Sequence, residues 1–493
     1  MSTRKIASCL MATATFAIVQ SAGAVGLPDI SNAHTGKQLK ETKNINAALK
    51  GGKADLSLRL RYEDVSDDIP AGSPLVGTED ADLLTIRTAL GYSTARVHGF
   101  YGRIAFEATT IIGDTNALTV GEDLTFPPGP AGSRIAAGHS VIPDPQKEEF
   151  NEAYIGWRSA SSGCKSAPGG CNGGTTVKAG RQEIIYDNHR WVGNIVWRQN
   201  FQSYDAVRID NTSINNLSLS YTYLNKVNRT FGPDSPFNEW LMDDSHLINI
   251  SYKTPIGKLV GYGYLLDFDD NPRTPFPEGV GVGPGITNFD SDTYGLRFTG
   301  KHKTSDSFTL LYQLEYANQS PSNDAAANLD DNNYTLIEVG GAFKLGGKPV
   351  VVKIGQEVLE GNGVNALQTP LATIHAFNGW ADKFVGAPGG TSTPVGGLED
   401  TSITLVVKGL IGKSKLVVQY HDYQANTTVN GIDAYGDEIS LLFAKPFTKE
   451  WLGLIKYSSF TADSSWENSA SGGVGAGAFD TDKFWVMAQY KFK

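Results

Sequence analysis

From residue 54 onward, apolar and polar side chains alternate with a period of two, in runs of about ten residues. In Ala54-Asp-Leu-Ser-Leu-Arg-Leu-Arg-Tyr62, one face carries Leu56, Leu58, Leu60 and Tyr62 and the other Ser57, Arg59 and Arg61. Phe308, Leu310, Tyr312, Leu314 and Tyr316 alternate with Thr309, Gln313 and Glu315. The last run sets Phe484, Val486, Ala488, Tyr490 and Phe492 against Trp485, Gln489 and Lys491. Side chains reach opposite faces at every residue only in extended backbone. The pattern predicts 18 strands, near 54–63, 82–93, 98–110, 149–158, 175–184, 203–209, 215–224, 246–253, 257–267, 291–301, 306–317, 333–344, 348–358, 400–409, 413–424, 435–445, 451–461 and 482–492.

The connections alternate too. Long ones (64–81, 111–148, 185–202, 225–245, 268–290, 318–332, 359–399, 425–434, 462–481) exchange with short ones such as Thr254-Pro-Ile256 and Leu345-Gly-Gly347. An even number of strands with that rhythm predicts an all-β fold, a transmembrane antiparallel β-barrel with short periplasmic turns and long extracellular loops. Lipid offers backbone polar groups no partner, so only a closed sheet can span it with strands. Tyr62, Tyr92, Phe106, Tyr252, Phe268, Tyr316, Phe343 and Tyr457, near strand ends, suit interfacial girdles. A soluble sandwich also alternates, but it explains neither the connection rhythm nor the lack of a repeat of 40–50 residues.

The N-terminus reads as a secretory signal over residues 1–24: Arg4 and Lys5, an apolar stretch from Ile6 to Val19, then Ala22-Gly23-Ala24 as the cleavage site. Residues 25–53 follow as a polar periplasmic segment, and 54–493 as the barrel. Cys9 leaves with the signal. Cys164 and Cys171, close together in a Gly/Ser-rich turn of an exported chain, predict a disulfide. The formal charge of −10 argues against nucleic acid as a partner. Outer-membrane lipid and lipopolysaccharide, the barrel-assembly machinery and a small-molecule or oligosaccharide solute are the expected partners.

A barrel of 16 to 18 strands leaves an aqueous lumen. Its inward phase is expected to carry the bases Arg59, Arg61, Arg87, Arg103, Arg158, Lys178, Arg208, Arg297, Lys344, Lys353, Lys408, Lys415, Lys456, Lys483 and Lys491. The acids there are Asp55, Glu63, Glu107, Glu152, Asp267, Glu315, Glu338, Glu357 and Glu438. The wall therefore leans positive, which favours anions, although cross-lumen pairing cancels part of the lean.

One connection stands apart. Residues 359–399 lack alternation yet hold Leu367, Leu371, Ile374, Phe377, Trp380 and Phe384. Long structureless loops in compact domains are uncommon and usually functional. This one leaves the extracellular end of an ascending strand, and its aromatics can escape water by folding into the lumen. Glu357, Gln368, His375, Asn378, Trp380, Asp382 and Lys383 then become constriction candidates. A cap that only stabilises the mouth is the other reading.

Several stretches resemble alginate-export-type porins of Gram-negative outer membranes. They are Leu58-Arg-Leu-Arg-Tyr-Glu63, Thr85-Ile-Arg-Thr-Ala-Leu-Gly-Tyr92, Asn151-Glu-Ala-Tyr-Ile-Gly-Trp157, Gly180-Arg-Gln182, Asp187-Asn-His-Arg-Trp-Val-Gly193, Trp197-Arg-Gln-Asn200, Tyr204-Asp-Ala-Val-Arg208, Thr369-Pro-Leu-Ala-Thr-Ile-His375 and Gly379-Trp-Ala-Asp-Lys-Phe384. The resemblance implies an 18-stranded barrel with an Arg-rich lumen, and adds Arg181, Arg190, Arg198 and Arg208 as pore residues. Simple alternation would instead put Arg181 on the outer phase, unless a bulge intervenes. The many lumen carboxylates weaken the case for a polyuronate.

The expected function is thus a porin passing small solutes, anionic ones or oligosaccharides among them. Polysaccharide export stands second and a barrel enzyme third. No G-x-S-x-G motif or His/Cys cluster with metal-ligand spacing is present, and no cofactor is expected. His189 is the best single catalytic candidate, though a loop hydrogen bond explains it better. A TonB-dependent transporter needs a plug domain, for which the roughly 30 residues before the first strand leave no room.

Overall fold

The computed structural model describes residues 39–69, 78–119, 139–159, 174–235, 237–269, 290–323, 325, 329–386, 390–391, 393–467 and 478–492. The signal segment and the Cys164–Cys171 turn lie outside these residues.

The barrel strands are β1 Lys53–Asp68, β2 Ala81–Ser93, β3 Phe100–Ile111, β4 Lys147–Arg158, β5 Thr175–Gln182, β6 Ser203–Asn211, β7 Leu217–Asn228, β8 Glu239–Lys253 and β9 Lys258–Leu266. They continue as β10 Ser291–Lys303, β11 Phe308–Pro321, β12 Asn332–Leu345, β13 Lys348–Leu359, β14 Leu398–Lys408, β15 Lys415–Val429, β16 Ile432–Pro446, β17 Trp451–Ala462 and β18 Asp480–Phe492. Each pairs antiparallel with its neighbours, and β1 meets β18 from Leu56↔Phe492 to Asp68↔Asp480, which closes the sheet. Closure removes the edges that would leave backbone groups unpaired in lipid.

Each expected strand corresponds to one observed strand. The main differences lie at extracellular ends: β1 runs on to Asp68 and β8 starts at Glu239. Above the bilayer the outer face no longer has to be apolar, so the alternation fades while the ladder continues through residues such as Asp64 and Asp68. A register shift between Leu241 and Ser245 blurs the signal further.

The two faces separate as a lipid-spanning wall requires. On β1, Arg59 and Arg61 are buried inward while Leu60 is exposed outward, and Leu90, Ile104 and Ile155 are exposed on the strands that follow. The outward aromatics differ from expectation at Phe268, which is buried beside Trp240 (ring centroids 5.5 Å apart) rather than in a girdle. A bridge between Met242 and Phe268 marks where the chain turns off the wall after β9.

Two long segments fold inward. The described residues of 183–202, between β5 and β6, and of 360–397, between β13 and β14, contribute Ile184, Trp191, Val192, Leu367, Leu371 and Phe384 to the largest buried apolar cluster among the described residues. They also hold each other: Gly193 N donates to Leu371 O at 2.8 Å, Thr373 N to His189 O at 2.9 Å and Ile195 N to Thr373 Oγ1 at 3.1 Å.

Candidate functional site: two inward loops

The loop after β13 turns at Asn378-Gly379, where both residues have positive φ (52° and 84°). Such a turn favours Asn and Gly. Gly379 is also obligatory by contact, since a Cβ there would lie 2.1 Å from Glu438 Oε2. The turn aims two backbone donors at the wall: Trp380 N and Ala381 N reach the Glu438 carboxylate at 2.6 and 3.2 Å. Glu438 also accepts from Ser440 Oγ and Ser458 Oγ, both at 2.6 Å. Asn378 Nδ2 donates to Glu357 Oε2 at 2.7 Å and to Asp400 Oδ2 at 3.1 Å. The interior carboxylates are therefore consumed as acceptors that pin this loop.

A second cluster joins both loops to the wall. Asp382 receives His375 Nδ1 at 2.7 Å, Arg198 Nη2 at 3.0 Å and Lys483 Nζ at 3.2 Å. His375 Nε2 faces Lys456 Nζ at 2.5 Å. An ammonium can only donate, so the ring is the neutral tautomer with its proton on Nδ1, assigned from its partners. Burial pushes this imidazole down to about 3, with Lys456 and Arg198 acting in the same direction against Asp382. Lys456 Nζ lies 4.1, 3.9 and 5.0 Å from the ring centroids of Trp197, Trp380 and Trp485. Trp197 also stacks on His375 at 4.8 Å. An ammonium held by aromatic faces gains ~1–2 kcal/mol per good contact when desolvated.

The segment 183–202 is bound by the arginines of β1. Arg59 Nη1 donates to the carbonyls of Val196, Trp197 and Arg198 at 3.2, 3.2 and 3.1 Å. Its Nε and Nη2 have no hydrogen-bond partner among the described residues. Arg61 Nη1 donates to Trp197 O at 2.6 Å and Nη2 pairs with Asp144. Arg198 pairs with Glu63 at 3.1 Å. Phe201 lies beneath two guanidinium groups, 4.0 Å from Arg87 and 5.6 Å from Arg59.

The remaining candidates divide. Arg87 pairs with Glu107 (2.6 Å), Arg103 with Glu152 (2.5 Å) and Asp55 (2.9 Å), Lys353 with Glu338 (2.8 Å), and Arg297 with Glu315 (3.5 Å). Arg190 joins the pinned loop through Glu357 (2.9 Å) and Asn378 Oδ1 (3.2 Å). Arg208 pairs with Asp210 at 2.8 Å over the Tyr186 ring, and Arg158 is partly exposed at the periplasmic end of β4. Arg181 faces outward. It pairs with Ala153 on the outer phase of β4, reaches Phe150 O, and binds Asp205 at 2.8 Å. No bulge precedes it on β5, so plain alternation holds and the pore role carried over for Arg181 is corrected. His189 is a loop contact, its Nδ1 3.3 Å from Thr373 Oγ1.

Lys383 is the loop's titrating group near neutral pH. Its Nζ donates to Thr481 Oγ1 and lies 3.9 Å from the Phe479 ring centroid, and burial pushes it down from 10.5 to about 7. A lysine depressed in the docked state binds its proton more readily once released. Docking is thus strongest above pH ~10, weakens as pH falls toward 7, and levels off below. Limited proteolysis of the 359–399 loop is expected to quicken between pH 10 and 7, and Lys383→Met should flatten that slope. An unchanged slope in the variant would remove Lys383 as its source.

Sequence alone missed Asp144, Trp197, Phe201 and Asp400. Asp400 shares the inward phase of Lys408 on β14 and could have been found by counting back from it. Asp144 sits in a connection without periodicity, and nothing local marked it.

No family model and no curated protein matches the chain. Solved structures do. OccAB4 of Acinetobacter baumannii aligns with a TM-score of 0.61 at 12% identity, covering 92% of this chain and 100% of that one. The outer membrane protein OpdK of Pseudomonas aeruginosa aligns at 0.59 and 10%, covering 90% and 99%. OccK9 (OpdG) of the same organism aligns at 0.61 and 9%, covering 90% and 99%. The barrel has the 18-strand fold of outer-membrane porins. Nothing in these likenesses to the porin fold supports the alginate-export part of the sequence resemblance.

Proposed function

We propose that the chain is an outer-membrane porin of a Gram-negative cell, a water-filled channel through which small solutes diffuse passively with a weak preference for anions. The observation that carries this reading is the pair of inward loops, pinned to a closed barrel by interior arginines and carboxylates. Segments held that way narrow a lumen without filling it with a folded plug. Solved barrels that it resembles are porins. Basic side chains exceed acidic ones on the inward strands, but most are paired, so the field focused in the lumen is modest. Outer-membrane lipid and lipopolysaccharide would surround the apolar wall, and the barrel-assembly machinery would insert it.

Planar-bilayer recording under a salt gradient tests the reading. We expect discrete steps and a reversal potential shifted slightly toward that of the anion. Clear cation selectivity would overturn the preference, and absence of channels from correctly folded protein would overturn the porin assignment. The second reading, export of an alginate-like anionic polysaccharide, rests on the motif resemblance and on the unpartnered donors of Arg59. Current block by oligouronates but not by neutral oligosaccharides would favour it, and indifference to both would favour a general porin. Catalysis is not part of either reading.

A further inference from the structure

The described residues ahead of β1, 39–52, make none of the contacts that pin the inward loops. Its short helix, α1 (Ile45–Lys50), is capped by Asn44, whose Oδ1 accepts from Ala47 N at 2.9 Å. Ala48 is buried and its carbonyl accepts from Ala95 N, in the turn after β2, at 3.0 Å. Residues Glu41–Thr42 pair parallel with Arg96–Val97 of the same turn. Tyr92, on the outward phase of β2, donates its hydroxyl to Leu49 O. The helix is therefore fixed against the periplasmic rim.

There it leaves two apolar side chains bare. Ile45 is 70% exposed and Leu49 51%, and their spacing of four places them on one helix face. Lys40, Lys43, Lys50 and Lys53 around them are all exposed. The rim nearby marks the bilayer boundary: Leu90, Phe100 and Phe492 are exposed on the wall, and the turn residues Ile256, Ile411 and Phe447 are exposed elsewhere around it. The bare face of α1 thus lies at the same end of the barrel as these exposed apolar side chains.

We propose that residues 40–53 form an interfacial anchor. Ile45 and Leu49 enter the acyl boundary of the periplasmic leaflet, and the surrounding lysines bind anionic phospholipid headgroups. A short helix with an apolar face and flanking lysines gains from both terms at a headgroup surface. The inference rests on the barrel spanning a bilayer, not on what the channel carries.

The test uses the full mature chain with Cys164 and Cys171 changed to Ser, reconstituted in vesicles of phosphatidylcholine with or without phosphatidylglycerol. Single cysteines at Ile45→Cys, Leu49→Cys, Asn46→Cys and Leu90→Cys carry an environment-sensitive fluorophore, and nitroxide lipids serve as quenchers. We expect labels at 45 and 49 to be quenched like the wall label at 90, and the label at 46 to remain accessible to aqueous quencher. Phosphatidylglycerol should increase the quenching at 45 and 49. Lys43→Gln with Lys50→Gln should remove that increase, lowering the docked-to-undocked ratio roughly fivefold per lysine. Labels at 45 and 49 as water-accessible as that at 46, with 90 still quenched, would overturn the anchor alone. Loss of quenching at 90 as well would overturn the membrane-spanning barrel and the anchor with it. Quenching at 45 and 49 indifferent to phosphatidylglycerol would overturn the headgroup component.

Discussion

Removing residues 362–392 is expected to raise single-channel conductance roughly twofold or more, with little change in reversal potential. The geometry permits the cut. Leu359 and Leu398 are register partners, and Gly361 approaches Gly397 so closely that a Cβ would sit 2.2 Å from its backbone nitrogen. A short Gly/Ser linker can therefore rejoin the strands without pulling on either. The excised piece contains only His375, Asp382 and Lys383 as ionisable groups, so its formal charge is zero with the imidazole neutral. Several of the groups it leaves keep other partners, although Lys483 loses Asp382. Glu357 retains Arg190 and Tyr334, Asp400 retains His421, and Arg198 retains Glu63. The barrel should still close, because its ladder does not pass through the loop, and heat-modifiable gel mobility checks that. Conductance unchanged in a closed barrel would leave the loop only the role of a cap.

Lipid imposes the alternation on the outer face of every strand, and that made the barrel legible in the sequence. The apolar content of 359–399 made its inward course legible as well, because Leu367, Leu371 and Phe384 had to find cover. The partner segment 183–202 was legible only through a resemblance, since its anchoring groups are backbone carbonyls received by Arg59 and Arg61. Carbonyls leave no mark on a sequence. The inward phase of single strands showed the charges but not their pairing. Arg87 meets Glu107 only because β2 and β3 align Arg87 with Thr109 and Ala89 with Glu107. The positive lean of the wall is therefore legible as composition, while the pairing that sets its field is not. Arg181 teaches the converse: a role transferred by motif gave way to the simple rule of alternate faces, and Asp205 on the outside supplies its partner.

Glu438→Ala is expected to release the same loop while leaving it tethered. The side chain is fully buried and accepts four hydrogen bonds, two from the backbone of Trp380 and Ala381 and two from serines on β16 and β17. Truncating a buried, fully satisfied carboxylate strands all four donors, a loss of about 3–5 kcal/mol in comparable settings. Most of that cost can be recovered if the loop lifts and its amides reach water. Conductance should therefore rise toward that of the deletion, with flicker between docked and released levels. Gly379→Ala should act similarly by another route, because its Cβ would collide with the Glu438 carboxylate and its φ of 84° strains any side chain. The deciding measurement combines Glu438→Ala with the deletion. If Glu438 works by pinning the loop, the second change adds nothing to the conductance gained by the first, since the loop amides it held are gone. If instead the carboxylate acts as a fixed charge in the permeation path, its removal will still shift the reversal potential toward the anion's in the deleted channel, and pinning would lose its standing as the cause.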